Sequence, residues 1–450
     1  MNIILLSGGS GQRLWPLSND IRSKQFIRIL TGEEGRVESM LTRVYRQILA
    51  ADRDANVTIA TSKKQVSSIR NQLGDKVNVC VEPCRRDTFP AICLAAAYLR
   101  DLQGVGEEEG VVVCPVDPYV EDSYFEALKE LGGMAERGEA NLSLLGIEPT
   151  YASEKYGYIL PVSGERVSRV DTFREKPDAA AAEKYIAGGA LWNGGVFAFR
   201  LGYLLGKARE LLSFQNYGEL RARYESFRKI SFDYAVAERE KDIRVLRYRG
   251  QWKDLGTWNT FTEAMAEPVL GRGILNETCS NTHLVNELNI PILCMGCKDM
   301  VVAASSDGIL VSDKVQSSYI KPFVEQMEQQ VMYAEKSWGS FTVLDVQEDS
   351  LTIKIVLLPG HGLYYHSHEH RDEVWTVTSG RGRVVLDGVE RAVGPGDVVS
   401  MPAGCKHTVF ADTELKILEA QLGENITVED KQKYPLEVAG RAALSEQEPR

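Results

Sequence analysis

Three groups of residues in this chain have the types and spacing for chemistry. The first follows the apolar run Ile3-Ile4-Leu5-Leu6-Ser7 and consists of Gly8, Gly9, Ser10, Gly11 and Gln12, with Arg13 next and Lys24 beyond. Glycines let backbone N–H groups come close to a ligand, and such a loop at a strand end forms a concave anion site suited to a phosphate chain. Arg13 adds a permanent charge, and Lys24 and Lys176 are further candidate phosphate partners. The second group is Asp117 and Asp254, each of which ends an apolar or aromatic run and precedes a turn. Mg2+ takes one or two carboxylates together with substrate phosphates. These parts suit transfer of a nucleotidyl group to a sugar phosphate. There, a phosphate oxygen attacks the α-phosphorus of a nucleoside triphosphate, pyrophosphate leaves, and the protein positions and neutralises the anions. Asn193, followed by Gly194-Gly195, offers an amide and open backbone to sugar hydroxyls. Taken singly, each feature has a plainer reading: the glycines as a strand-to-helix turn, the aspartates as turn or cap residues, the lysines as solvated charges, and Asn-Gly-Gly as a hairpin.

The third group lies near the carboxyl end. Five of the six histidines fall between His361 and His407. His366 and His368 are two apart, so on a strand both rings share one face. Glu373 follows, and His407 arrives from a later strand. Two or three histidines with a carboxylate suit Zn2+ or another divalent transition metal. His361 and His370 are expected to face outward or toward a pocket. The spacing Gly360, His366, His368, Glu373, Gly380 and then Gly396, Pro402, Gly404, His407 resembles the two cupin motifs, with Ala411 where asparagine is common.

The elements that must position these groups are legible from periodicity. Short β-branched runs at Val57–Ala60, Val77–Val81 and Val111–Cys114 alternate with helical patterns such as Ala91–Leu102. That order predicts a Rossmann-like, doubly wound mixed α/β sheet, with ligands beyond the carboxyl ends of its strands. The glycine loop and Asp117 are both at such ends. Phe173–Pro177, Trp192–Phe197 and Trp252–Trp258 read as polar punctuation. Pro268 and Gly271-Arg272-Gly273 mark a boundary. The expected organisation is a nucleotidyltransferase-type domain over 1–268, a short β-rich connecting region over 269–330, an all-β barrel over 331–440 and a polar tail over 441–450. Glu325–Glu335 reads as a helical or extended linker into the barrel. Alternating strands at Phe341–Leu344, Leu351–Leu358, Val374–Thr378, Arg383–Leu386, Val398–Met401 and Leu415–Gln421 support the barrel.

Composition narrows the function classes. A net charge of −11 over 450 residues argues against a nucleic-acid partner. No apolar segment is long enough for a bilayer, and the run after Met1 is too short for a targeting signal. The eight cysteines are scattered, which predicts buried thiols in a reducing cytoplasm. Cys294 and Cys297 have C-x-x-C spacing, but no second pair sits nearby to complete a zinc site. A homo-oligomer is compatible with both domain types.

In order along the chain, the string Leu6–Phe26, Glu82-Pro83, Arg86-Asp87-Thr88, Pro115–Pro118, Tyr156–Ile159, Glu175-Lys176-Pro177, Trp192–Gly195 and Asp254–Trp258 resembles the mannose-1-phosphate guanylyltransferases. The carboxyl half, with His368–Trp375, resembles the cupin part of the bifunctional mannose-6-phosphate isomerase/guanylyltransferases. The resemblance implies a Mg2+-dependent enzyme that joins GTP and mannose 1-phosphate into a nucleotide sugar and pyrophosphate. It implies Mg2+ on Asp117 and Asp254, and triphosphate contacts from Gly8, Gly9, Ser10, Gly11, Gln12, Arg13 and Lys24. It implies sugar-phosphate contacts from Gly157, Glu175, Lys176 and Asn193, and Arg13, Lys24, Asp117 and Asp254 are the expected catalytic set. The other readings are isomerisation of mannose 6-phosphate in the cupin, or a different base or sugar with a structural cupin. Ser7, Gln12, Ser23 and Pro118 stand where the family usually has Ala, Thr, Pro and His. His366 stands in place of Gln and Thr408 in place of Arg.

Overall fold

The computed structural model describes residues 1–8, 12–19, 21–32, 35–327, 331–424 and 426–436. It divides into two compact units. The first comprises Met1–Arg13 and Ser23–Pro268 and is built on a nine-stranded sheet. Four parallel strands, Asn78–Glu82, Asn56–Ser62, Asn2–Ser7 and Gly110–Pro115, lie side by side in that order. Leu191–Arg200 follows antiparallel, then Leu142–Ile147, Ile243–Tyr248, Val167–Arg174 and Gly157–Pro161. The sheet is therefore mixed, as expected. Alternation along Asn2–Ser7 feeds two cores: Ile3 and Leu5 join Val44, Phe125 and Leu131, whereas Ile4 joins Phe89, Ile92 and Phe199. Ile3, Ile4 and Leu5 are wholly buried, each contributing about 1.5–3 kcal/mol relative to exposure. Helices Met40–Ala51 and Ser123–Glu136 cover one face and Thr88–Gln103 the other.

Trp192–Phe197 is not a turn. It lies inside the strand Leu191–Arg200, with a register shift between Asn193 and Phe197 and φ of +71° at Gly195. The glycines bend the strand rather than end it, because its flanks pair with different partners, Gly157–Pro161 on one side and Gly110–Pro115 on the other.

The second unit comprises Leu14–Arg22 and the residues from Val269 on. Leu14–Arg22, inside the expected 1–268 span, makes its contacts within this unit. Trp15 lies so close to Gly308 that an added Cβ would be 2.4 Å from the indole. The Ser305 hydroxyl donates to the Pro16 carbonyl at 2.7 Å, Asn19 donates to Asp307 at 2.7 Å, and Arg22 forks onto Glu287 at 2.7 and 2.8 Å. Residues from Val269 form short, mostly parallel rungs: Val269–Gly271, His283–Asn286 and Met300–Ser305 in one stack, Gly273–Leu275 beside Ile292–Cys294 in another. A barrel of six- and five-stranded sheets follows. Its interior holds Ile355, Leu357, Trp375, Val377, Val399, Val409 and Ile417. Within the expected linker, Tyr333–Lys336 is a barrel strand paired with Gly339–Val346. The expected tail lies outside the described residues. Among the described residues, no helix is long and apolar enough to cross a membrane.

Candidate active site and metal centre

The first cluster forms at the carboxyl edge of the parallel strands. Asn2–Ser7 and Gly110–Pro115 pair with Leu6 opposite Pro115, so Gly8 and Asp117 follow adjacent strand ends. Gly8 is exposed and has open space where a Cβ would be. Gly9, Ser10 and Gly11 lie outside the described residues. Gln12 and Arg13 begin a short 3-10 turn, with Arg13 exposed. Asp254 reaches Asp117 through a two-stranded ladder: Trp252–Asp254 pairs antiparallel with Pro118–Val120, and Asp254 faces Pro118. Lys24 opens the turn Lys24–Phe26, anchored by buried Gln25 and Phe26. Its Nζ lies 2.8 Å from Asp117 Oδ2 and 3.6 Å from Asp254 Oδ1. Gly256 leaves the second carboxylate accessible, since a Cβ there would sit 3.2 Å from both of its oxygens.

Burial opposes the Lys24 ammonium, but Asp117 and Asp254 outweigh it and hold its pKa above the ordinary lysine value. Asp117 is held low because Lys24 outweighs its burial. Asp254 is pushed up, first by burial and then by the charge of Asp117. Arg13 also acts on Lys24 and Asp254, and the two carboxylates present hard oxygen donors, a set that fits Mg2+.

A second cluster lines the strand Leu191–Arg200. Gly157 is the register partner of Asn193. A Cβ at Gly157 would lie 2.5 Å from Glu175 Oε2, so no side chain fits beside that oxygen. The oxygen is buried without a hydrogen-bond partner among the described residues, while Glu175 Oε1 holds Lys176 Nζ at 2.6 Å. Asn193 donates to Asp233 at 2.7 Å and accepts from the Gly195 N–H at 3.1 Å. Asp233 is pushed up to about 6 by burial and by the charge of Glu175. Beside these groups stand Tyr151, Tyr156, Trp192 and Trp252, with ring centroids 4.9–6.3 Å apart. The indole nitrogen of Trp252 is buried without a hydrogen-bond partner among the described residues. Trp252 shares its short strand with Asp254, and Tyr156 feels the Asp254 charge, which ties the two clusters together. An open groove of about 1100 Å³ elsewhere on this unit, lined by Glu121, Lys129, Glu130, Arg166 and Arg247, contains none of these residues.

In the barrel, His366, His368, Glu373 and His407 are buried, and their ligand atoms all lie within 4.8 Å of one another. Backbone carbonyls face each Nδ1: Tyr364 at 2.6 Å from His366, Asp430 at 2.7 Å from His368 and Cys405 at 3.0 Å from His407. These contacts assign the proton to Nδ1 and turn each Nε2 lone pair inward, the tautomer a metal ligand needs. Glu373 Oε2 and His407 Nε2 are buried without hydrogen-bond partners among the described residues, although 3.2 Å apart. A lone pair facing a carboxylate oxygen at that range is repulsive unless a proton or metal ion lies between them, and the donor set fits a divalent transition metal. Burial pushes His366 down to about 2, which keeps it neutral and available as a ligand. Arg371 donates to Glu373 Oε1 at 3.2 Å and to His368 Nε2 at 3.1 Å. Of the remaining histidines, His370 is exposed and pairs with Asp430, and His361 is half-buried.

Comparison with known proteins decides the family. The family model described as Nucleotidyl transferase matches residues 2–268, and that described as Cupin domain matches residues 354–420. The chain belongs to the nucleotidyl transferase family. This nucleotidyl transferase is 27% identical to mannose-1-phosphate guanylyltransferase 2 of Escherichia coli O157:H7, over 96% of this chain and 98% of that protein. It is 29% identical to the alginate biosynthesis protein AlgA of Pseudomonas aeruginosa, over 98% and 97%. It is also similar to the solved structure of a Thermus thermophilus protein named mannose-1-phosphate geranyltransferase, with a TM-score of 0.61 and 29% identity over 73% of this chain and 98% of that one.

The nucleotidyl transferase carries polar groups at these sites that the sequence reading did not single out. Asp233 sits in a single π-turn, Asp233–Ala237, where nothing local distinguishes it from a cap. Arg371 follows the histidines and reads as surface charge. Glu419 and Gln421 occupy inward positions of the alternating strand Leu415–Leu422, and that alternation was the available signal. Glu419 accepts from Trp375 at 2.8 Å and Gln421 at 2.6 Å, and burial with the nearby Glu373 charge pushes it up to about 7. Burial holds the nearby Lys431 below the ordinary lysine value.

Proposed function

We propose that this nucleotidyl transferase takes GTP and mannose 1-phosphate and forms GDP-mannose and pyrophosphate. The observation that carries this reading is the convergence of Asp117 and Asp254 on Lys24 beside the glycine loop. A sugar-phosphate oxygen attacks the α-phosphorus of the triphosphate. The bond from that phosphorus to its β-bridging oxygen breaks, and pyrophosphate leaves with the electron pair. Asp117 and Asp254 would hold Mg2+, which when bound withdraws charge from the phosphates. Lys24 and Arg13 neutralise the triphosphate, while Gly8 and the loop that follows, with Gln12, supply backbone close to it. On the acceptor side, Glu175 Oε2 and Asn193 suit sugar hydroxyls and Lys176 suits the sugar phosphate, with Gly157 leaving space and Asp233 orienting the Asn193 amide. No residue of this set has to gain or lose a proton, so the rate rests on orientation and charge. The choice of guanine and mannose draws support from the relatives' names and from the matched motif order. Pyrophosphate release from each of the four nucleoside triphosphates against several sugar 1-phosphates tests it. The reading expects GTP with mannose 1-phosphate to lead, and release with another pair only would replace the base or sugar.

A second reading concerns the barrel. His366, His368, Glu373 and His407 suit Zn2+ or a similar ion, and buried Glu419 supplies a carboxyl near neutrality in the same interior, as aldose–ketose isomerisation needs. Against it, Thr408, where the family commonly has Arg, is buried and donates to the Leu363 carbonyl, so no cation stands there for a substrate phosphate. Mannose 6-phosphate given alone and followed for fructose 6-phosphate separates an isomerase from a metal-stabilised barrel.

A further inference from the structure

Beneath the first cluster lies a polar network that none of the roles above uses. Gln65, just beyond the strand Asn56–Ser62, accepts from Thr61 Oγ1 at 2.7 Å and from Ser7 Oγ at 3.3 Å. Its Nε2 donates to Ser23 Oγ at 2.7 Å, and Gln25 Nε2 donates to Ser7 Oγ at 3.1 Å. Ser7, Ser23, Gln25, Thr61 and Gln65 are each at most 1% exposed. Ser7 is the last residue of the strand that launches the glycine loop, and Ser23 and Gln25 flank Lys24. One amide therefore joins the root of the phosphate loop to the turn that carries the lysine. A buried network with its groups satisfied is rigid, and a misplacement of about 1 Å at a reacting centre costs on the order of 100-fold in rate.

We propose that Gln65 is a positioning residue for nucleotidyl transfer, fixing the Lys24 turn against the glycine-loop strand through Ser7 and Ser23. The proposal rests on the function proposed above. Its mechanism predicts coupling: Gln65 acts only through where Lys24 is held.

The test is steady-state pyrophosphate release from GTP and mannose 1-phosphate by the full-length protein, with folding followed by thermal melts. Gln65→Leu is expected to lower kcat about 10- to 100-fold while the KM for mannose 1-phosphate stays within about threefold. Lys24→Met combined with Gln65→Leu is expected to be no slower than Lys24→Met alone. Ser23 has φ of −72°, a value proline adopts. Ser7→Ala with Ser23→Pro in the Gln65→Leu background is therefore expected to recover most of the lost kcat, because the ring holds the turn in place of the amide. If Gln65→Leu does not fold, Ser23→Ala must show the same split between kcat and KM. An unchanged kcat, or losses that multiply in the double variant, would overturn the positioning role alone. A wild-type protein that releases no pyrophosphate with any pair of substrates would overturn the proposed function and this role with it.

Discussion

Lys24 and Asp117 form an ion pair of 2.8 Å, and Asp254 closes on the same ammonium at 3.6 Å. Lys24 thus serves both carboxylates, and burial with the charge of Asp117 leaves Asp254 with a raised pKa.

Lys24→Met removes the internal competitor for those carboxylates and also the charge meant for the triphosphate. Mg2+ titrated calorimetrically into nucleotide-free protein is expected to bind the variant more tightly than wild type, while pyrophosphate release falls about 10- to 100-fold. Weaker Mg2+ binding in the variant would show that the carboxylates are not where the ion sits.

At Gly157 the prediction is steric. Gly157→Ala places a methyl 2.5 Å from Glu175 Oε2 and 3.3 Å from the Asn193 Cβ. The KM for mannose 1-phosphate should rise about tenfold or more with the KM for GTP little changed. Equal effects on both substrates would detach Gly157 and Glu175 from the sugar side.

Asp233 gives a pH signature. Its folded pKa of about 6 lies above the ordinary aspartate value, so the folded state holds the proton more tightly than the unfolded state. Its unfavourable contribution is absent below about pH 4 and grows as pH rises, becoming complete above about pH 6. Asp233→Asn should therefore melt like wild type at the acid end and be more stable at pH 7, by on the order of 1 kcal/mol once solvent screening is allowed for. A difference that does not change with pH would contradict this assignment.

In the barrel, metal content is the readout. Purified protein incubated with Zn2+ and desalted is expected to retain the ion at His366, His368, Glu373 and His407, and His407→Ala to lose it. At ion concentrations about 100-fold above the dissociation constant, linkage adds about 2.7 kcal/mol of stability to wild type alone. Equal retention by both proteins would place the ion elsewhere.

Much of this was legible in the sequence, for identifiable reasons. The glycine loop and Asp117 end apolar runs, and strand ends are where parallel sheets put ligands. His366 and His368 declared a shared face through a period of two. Asp254 was visible as a candidate, but its partner was not: the ladder to Pro118 is three residues long on each strand and carries no periodicity. Asn193 was visible as a candidate for sugar hydroxyls, but its setting was not, because Asn-Gly-Gly within a bent strand and Asn-Gly-Gly in a hairpin look alike. Leu14–Arg22 leaves the first unit because Trp15, Asn19 and Arg22 find their partners at residues 287–308, nearly three hundred positions on, which no local pattern encodes. Asp233, Gln65 and Glu419 are single polar residues whose meaning depends on which side chain faces them, and spacing does not report that.

The central claim is that Asp117 and Asp254 together hold the ion that makes nucleotidyl transfer possible. Pyrophosphate release from GTP and mannose 1-phosphate, measured across Mg2+ concentrations for wild type, Asp117→Asn and Asp254→Asn, tests it most directly. Each variant is expected to lose at least about 100-fold in kcat and to need more Mg2+ for what remains, with its melting curve still cooperative. Near-wild-type release by either variant at low Mg2+ would contradict the account.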